Sequence, residues 1–154
     1  MKPVVTLILV FFLYASHSIA QENQDSITYL KWENSFKNAQ KKSKKEKKPI
    51  LIYFTGSDWC GPCIDLDRKL FHTEKFKKFA DENLILYMAD VPRNRDLVSK
   101  KTRKVNNKLI KKYRQKAFPT IVMVNHKGKK LGIKKGMYMT RYYYPFFESV
   151  VFNY

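Results

Sequence analysis

The feature that most constrains this chain is an apolar run that leads into two closely spaced cysteines. Residues 49–55 are continuously apolar and aromatic, which is typical of a strand buried on both faces of a sheet. From residue 61 onward, apolar side chains recur at helical spacing: Cys63, Leu66 and Leu70. Pro62 suits a first helical turn, where its missing N–H costs nothing. The pattern therefore predicts a buried strand, a loop over 55–58 and a helix that begins at the cysteines.

Cysteine usage limits what this motif can be. Cys60 and Cys63 are the only two cysteines among 154 residues, which excludes a disulfide-stapled scaffold and a four-cysteine zinc site. A mixed zinc site would need two more ligands, and neither His72 nor His126 has metal-motif spacing. A purely structural disulfide would close a very short loop and stabilise little. We favour a redox-active dithiol that needs neither a metal nor another cofactor.

The predicted helix start gives the two cysteines different roles. Thiolate is the reactive form of cysteine, and a helix N-terminus stabilises an anion, so the pKa of Cys60 should fall from about 8.5 towards about 7. Cys60 is therefore the predicted nucleophile. Cys63 lies one turn further along, on the apolar stripe, and is the predicted resolving thiol that attacks a mixed disulfide made by Cys60.

The remaining chain alternates helical and strand patterns. Helices are predicted over 32–46, 74–82, 93–116 and 141–152, and further strands over 84–89, 120–124 and 129–133. Thr73 is the predicted N-cap of the 74–82 helix, and Pro145 lies in the first turn of the last helix or kinks it. The predicted fold class is α/β, with a central mixed β-sheet flanked by helices.

The first twenty residues form a separate segment. Lys2 precedes an apolar run over 4–14, and small and polar residues follow up to Ala20. This is the pattern of a secretory signal peptide, and the run is about half of the roughly 20 residues that cross a bilayer. We predict a signal peptide at 1–20, one domain at 21–154 and a periplasmic or secreted protein. An uncleaved membrane anchor is the alternative.

Positive charge is the other compositional signal. The chain has 31 Lys and Arg against 13 Asp and Glu, a formal net charge of +18. Residues 93–116 carry eleven of these cations and one acid, yet four apolar residues there can share a helical face: Val98, Val105, Leu109 and Tyr113. We interpret the charge first as a solvated surface that keeps the protein soluble. Contact with an anionic membrane or an acidic redox partner is the alternative, and export argues against nucleic acid.

Together these features resemble the thioredoxin family. The resemblance covers most of residues 27–152 and depends on three segments: Trp59-Cys60-Gly61-Pro62-Cys63, Phe118-Pro119-Thr120 and Gly128 in the hairpin. Three further segments resemble exported bacterial members and the C-terminal domain of the transmembrane thiol:disulfide interchange protein: Lys48-Pro49, Asp58-Trp59-Cys60 and the extra helical stretch at 73–83.

The resemblance implies a thioredoxin-like fold and disulfide exchange through Cys60 and Cys63. It assigns supporting roles in the active site to five neighbours: Trp59, Gly61, Pro62, Phe118 and Pro119. It further implies a cis Phe118–Pro119 bond beside the disulfide, which leaves the Phe118 backbone free to pair with an extended substrate. The implied partners are disulfide-containing proteins and an upstream membrane or exported thiol reductant. The Gly61-Pro62 dipeptide resembles reducing members, although the direction of transfer stays open.

One departure from the family concerns proton transfer. Thioredoxins bury an Asp on the strand before the motif and a Lys on the next strand, whereas this chain has Tyr53-Phe54 and Leu86-Tyr87 in those regions. Water, Asp58 and a tyrosine are the alternatives for accepting the Cys63 proton. The alternative function is a binding module on the same fold, which would use the basic surface while its dithiol is incidental.

Overall fold

The structure, a computed structural model, describes residues 30–154. The predicted signal peptide at 1–20 lies outside the described residues. Within residues 30–154, no helix is long and apolar enough to cross a membrane. The elements run in the order α1 (Phe36–Glu46), β1 (Ile50–Thr55), α2 (Gly61–Leu66), α3 (Glu74–Asn83), β2 (Ile85–Asp90), α4 (Lys100–Lys112), β3 (Thr120–Val124), β4 (Lys130–Lys135) and α5 (Tyr144–Phe152).

The four strands form one mixed sheet in the order β2-β1-β3-β4. Strand β1 pairs in parallel with β2 and antiparallel with β3, and β3 pairs antiparallel with β4. Every residue of β1 is buried, as the continuous apolar run predicted. The α/β class and the central mixed sheet are therefore confirmed, and β1 is the strand that delivers the cysteine motif to one end of the sheet.

Alternating side chains divide the core into two layers. Leu51 and Tyr53 face α2, α3 and α5, in a cluster that also contains both cysteines. Ile50 and Ile52 point the other way, towards α1 and α4. Because side chains of a strand alternate between its two faces, this arrangement follows from a strand that is apolar at every position. The cysteines thus belong to the α2/α3/α5 layer.

Three predicted helices, α1, α4 and α5, start later than their periodicity suggested. Helix α1 begins at Phe36, because Ser35 caps it through Asn38 N while Trp32 forms a parallel bridge with Leu86. The basic segment is also divided: a 3₁₀ turn covers Arg95–Leu97, and α4 starts only after Ser99.

The caps account for these boundaries. Ser99 accepts a hydrogen bond from Thr102 N at 3.1 Å, which places Val98 outside the helix that was expected to contain it. Thr73 caps α3 as predicted, accepting from Phe76 N at 3.2 Å. Pro145 lies in the first turn of α5, which begins at Tyr144 after a 3₁₀ turn rather than at residue 141.

Candidate active site

The two cysteines meet where α2 begins. Cys60 is the N-cap of α2 and is joined to Cys63 by a disulfide bond. The backbone N–H groups of Cys63 and Ile64 donate to the Cys60 carbonyl at 2.9 and 3.1 Å, which fixes the first turn. Cys60 is 5% exposed and Cys63 is 1% exposed. The first cysteine therefore keeps the greater access to solvent, and the second lies in the core.

The motif helix does not end at Leu66. It continues as a π-helical segment over Asp67–Phe71, so the helical run that starts at Cys60 is longer than α2 alone. The predicted apolar stripe is confirmed, because Cys63, Leu66 and Leu70 are each 1% exposed. Gly61 and Pro62 are exposed in the first turn, where Pro62 removes no intrahelical hydrogen bond.

Several contacts fix the side chain of Trp59, which directly precedes Cys60. Its indole Nε1–H donates to the Val91 carbonyl at 2.9 Å, and its ring lies edge-on to Phe118 with 5.7 Å between centroids. The Arg93 guanidinium lies 5.5 Å from the ring centroid. A Cβ on Gly56 would lie 2.2 Å from Trp59 Cε2, so only glycine leaves room for the ring.

Two carboxylates fasten the loop that precedes Cys60. Asp58 accepts hydrogen bonds from the backbone N–H groups of Arg93 and Asn94 at 2.9 and 2.8 Å. These bonds lower the pKa of Asp58, the bond from Asn94 most strongly. The buried Asp90 accepts from both the backbone N–H and the hydroxyl of Ser57, at 2.9 and 2.6 Å. Strand β2 thus anchors the loop that β1 leads into.

The Phe118–Pro119 peptide bond is cis, as the resemblance implied. Phe118 is half-buried and packs against the cluster that contains both cysteines. The Pro119 carbonyl accepts a hydrogen bond from Gly136 N at 2.8 Å, which ties this turn to the end of β4. The segments predicted to flank the dithiol, around Trp59 and around Phe118, are therefore brought together at one end of the sheet.

The side chains near Cys63 narrow the choice of proton acceptor. Tyr53 is buried, and its hydroxyl donates to the Cys63 carbonyl at 2.9 Å. Burial raises the pKa of Tyr53, so this phenol stays protonated at neutral pH. Asp58 is already engaged by two backbone N–H groups, and its lowered pKa makes it a weaker base.

Asp67 is a carboxylate that the sequence analysis did not single out. It lies one helical turn after Cys63, and its backbone N–H donates to the Cys63 carbonyl. Its carboxylate is 3.5 Å from the His72 ring, and its charge contributes to the raised pKa of Tyr53. Burial raises the pKa of Asp67, which His72 partly offsets. The four-residue spacing from Cys63 is the sequence signal that could have identified it.

Gly56 and Asp90 are the other site residues that sequence reasoning missed. Gly56 appeared only as part of a loop, and its close approach to Trp59 has no signature in the sequence. Asp90 closes a predicted strand, and its pairing with Ser57 depends on the parallel register of β1 and β2. Among residues 30–154, no group of three or more His, Cys, Asp or Glu side chains is arranged to hold a metal ion.

Comparison with known proteins agrees with this geometry. A model of the thioredoxin-like domain matches residues 36–148, and the chain belongs to the thioredoxin-like family. With the Cys60–Cys63 pair at the start of its motif helix, it is a thiol-disulfide oxidoreductase. It is 32% identical over 117 residues to the disulfide bond reductase DsbH of Chlamydia pneumoniae, a match that covers 76% of this chain and 69% of that protein.

Comparison with solved structures gives the same fold. A structure titled DsbH oxidoreductase is similar with a TM-score of 0.73 and 28% identity, covering 92% of this chain and 97% of that one. The C-terminal domain of DsbD from Neisseria meningitidis has a TM-score of 0.54 and 16% identity, and the match covers 73% of this chain and 89% of that domain. The second comparison shows a shared fold, in line with the predicted resemblance to the interchange protein.

Proposed function

We propose that this protein is an exported reductase of protein disulfides in which Cys60 is the nucleophile and Cys63 the resolving thiol. The observation that carries the assignment is the placement of Cys60 at the start of a helical run, with more exposure than Cys63. A helix N-terminus stabilises a thiolate, and only the thiolate attacks a disulfide. The similarity to DsbH, a disulfide bond reductase, supports the reducing direction.

The proposed reaction begins with the dithiol form. The Cys60 thiolate attacks one sulfur of a substrate disulfide, the substrate S–S bond breaks, and the released substrate thiolate takes up a proton. Cys63 then loses its proton and attacks the Cys60 sulfur, which frees the second substrate thiolate. Two electrons have passed to the substrate, and the Cys60–Cys63 disulfide is the product form. An upstream thiol reductant, in the membrane or exported, restores the dithiol.

Asp67 is the proposed acceptor of the Cys63 proton. A carboxylate one turn away on the same helix, half-buried and with a raised pKa, is a better base for a thiol than a fully solvated one. Neither Asp58 nor Tyr53 suits this task, because the first is held ionised by backbone N–H groups and the second stays protonated.

The neighbours of the dithiol are proposed to position the substrate. Trp59 and Phe118 form an aromatic pair beside the motif, and the backbone at Phe118 offers a site for an extended segment of the substrate. Gly61 and Pro62 build the exposed first turn of α2, and Pro119 holds the facing turn. These five residues would provide shape and backbone contacts, while the two cysteines carry the chemistry.

Export is part of the proposal and rests on the N-terminal sequence pattern at 1–20. The intact mass of the protein recovered from an expressing bacterium tests it. A mass that corresponds to cleavage after Ala20 supports export. A full-length chain that stays in the cytoplasm would contradict it.

Insulin reduction with a thiol donor tests the proposed activity. We expect turnover by the wild type, none by Cys60→Ser, and a trapped mixed disulfide with Cys63→Ser because the adduct is not resolved. Equal, negligible turnover by the wild type and Cys60→Ser would favour the binding-module alternative. Equilibration with glutathione gives the direction: a potential near about −270 mV supports a reductase, and one near about −120 mV supports an oxidase.

A further inference from the structure

Among the helices, positive charge is concentrated in one layer of the fold. Helix α1 carries five lysines and one glutamate, and α4 carries seven cations and no acid. Together these two helices hold twelve cations against one carboxylate. Helices α2, α3 and α5, with the π-helical segment, hold five cations against six carboxylates. The helices of one layer are therefore strongly basic, and those of the other layer are close to neutral.

Helix α4 shows how this segregation is built. Four of its lysines are exposed and recur at spacings of three or four residues, on the side opposite the buried Asn106 and Leu109: Lys100, Lys104, Lys108 and Lys111. Within residues 30–154, no α4 cation lies within 4.0 Å of a carboxylate. Solubility would be served equally well by cations spread over both faces. An unpaired stripe on one face instead indicates a surface that meets an extended anionic partner.

The composition of this face indicates a membrane rather than a protein. Specific protein interfaces depend on buried apolar and aromatic anchors, and none of the large hydrophobic side chains that are exposed in residues 30–154 lies on α1 or α4. Eleven of the twelve cations are lysines, and the single arginine, Arg103, already donates to the Arg95 and Val98 carbonyls. Flexible lysine point charges suit a diffuse layer of phosphates better than they suit fixed carboxylate pairs.

The basic layer also leaves the dithiol uncovered. Both cysteines pack in the other layer, and Trp59, which directly precedes Cys60, is exposed and lies outside α1 and α4. Contact through α1 and α4 is therefore compatible with access of a substrate to Cys60.

We propose that the α1/α4 face is a docking surface for a bilayer that contains anionic phospholipid. Binding is electrostatic and peripheral, through the phosphate headgroups, and it is independent of the redox state of the cysteines. It localises the oxidoreductase at a membrane surface with its active site accessible.

Vesicle co-sedimentation of the full chain tests this proposal. We compare vesicles of phosphatidylcholine with and without 30% phosphatidylglycerol. The apolar run at 4–14 would bind both types, so its contribution cancels when the binding to neutral vesicles is subtracted. The variant Lys104→Gln/Lys108→Gln removes two charges from α4. Its matched control, Lys75→Gln/Lys78→Gln, removes two exposed charges from α3 in the other layer. Insulin reduction in solution serves as the folding check for both.

The expected result is stronger binding of the wild type to the anionic vesicles, lost by about 0.5 M salt. Because each lysine near the surface strengthens binding roughly five-fold, the α4 variant should bind about 25-fold more weakly, while the α3 variant stays close to wild type. Equal weakening of both variants would overturn the proposal, since net charge alone would then explain binding. Equal wild-type binding to both vesicle types would overturn it too. If the protein in that case were retained on immobilised polyglutamate, the basic surface would instead bind an acidic protein.

Discussion

Gly56→Ala should disturb the active site much more than Gly61→Ala, the same change at the other glycine near the cysteines. The new Cβ would lie 2.2 Å from Trp59 Cε2 and 2.4 Å from its Nε1, well inside any normal contact. The indole would have to move by about 1 Å or more. It would lose its 2.9 Å hydrogen bond to Val91 and its edge contact with Phe118.

The expected loss of stability follows from the overpacking at Gly56 and from the lost Trp59 hydrogen bond. Overpacking costs about 1–3 kcal/mol and one lost hydrogen bond about 1 kcal/mol, so we expect a total of roughly 2–4 kcal/mol. For a domain of this size, that lowers the Tm by roughly 10 °C. Insulin reduction should fall as well, because Trp59 directly precedes the nucleophile Cys60 and packs against Phe118.

Gly61→Ala is the matched control for Gly56→Ala. A Cβ at Gly61 would meet nothing within 4 Å, and its position in the first turn of α2 accepts alanine. The control should keep the free energy of unfolding or raise it by up to about 1 kcal/mol, because alanine restricts the unfolded chain. Its Tm should therefore stay the same or rise slightly. Differential scanning fluorimetry of the two variants provides the comparison. Equal Tm values and equal insulin reduction would refute the role assigned to the Gly56–Trp59 contact.

Three other predictions concern the surroundings of the site. Asp67→Asn should slow resolution of the mixed disulfide at pH 7. The wild-type rate should decline towards that of the variant as pH falls through the pKa of Asp67, which burial raises above that of an ordinary aspartate. A carboxyl group whose pKa is raised by folding destabilises the protein as pH rises through that pKa, so Asp67→Asn should raise the Tm at pH 7. A slower reaction without a higher Tm would contradict the claim that burial raises the pKa of Asp67. Tyr53→Phe should cost about 1 kcal/mol in urea unfolding, with no change in the pH profile of the reaction, since the phenol stays protonated. Asn106→Ala should cost about 2–4 kcal/mol because it strands the buried Tyr87 hydroxyl and Asp90 carbonyl, whereas the exposed Asn107→Ala should change stability by less than about 0.5 kcal/mol.

The sequence predicted the parts of the fold that depend on local pattern. An uninterrupted apolar run is sufficient to indicate the central strand β1, and the three-to-four residue spacing after Gly61 indicates which side of the motif helix is buried. Thr73 was predicted as a helix cap because its hydroxyl precedes an amphipathic stretch. These features require only neighbours in sequence.

The features that were missed depend on contacts between distant segments. Trp32 has helical spacing with the residues after it, but its pairing with Leu86 on β2 keeps it out of α1. Asp90 reaches Ser57 only because β1 and β2 are parallel neighbours, and Gly56 is needed only because Trp59 folds back over it. Long-range packing decided each of these, and a single sequence carries no direct record of it.

The segregation of charge illustrates the same limit. The sequence showed an excess of cations in 93–116, whereas the placement of α4 beside α1, on the face opposite the cysteines, appears only in the fold. The composition alone favours a solvated surface, whereas the placement of the cations in the fold supports the proposed docking surface.

The central claim is that Cys60, at the start of the motif helix, is the activated thiol. Pulsed alkylation of the reduced protein with iodoacetamide between pH 5 and 10, with each cysteine followed by mass spectrometry, measures this directly. The predicted result is faster reaction of Cys60 than of Cys63, with a midpoint near or below about pH 7. A Cys60 midpoint near that of a free thiol, about 8.5, or faster reaction of Cys63, would contradict the account.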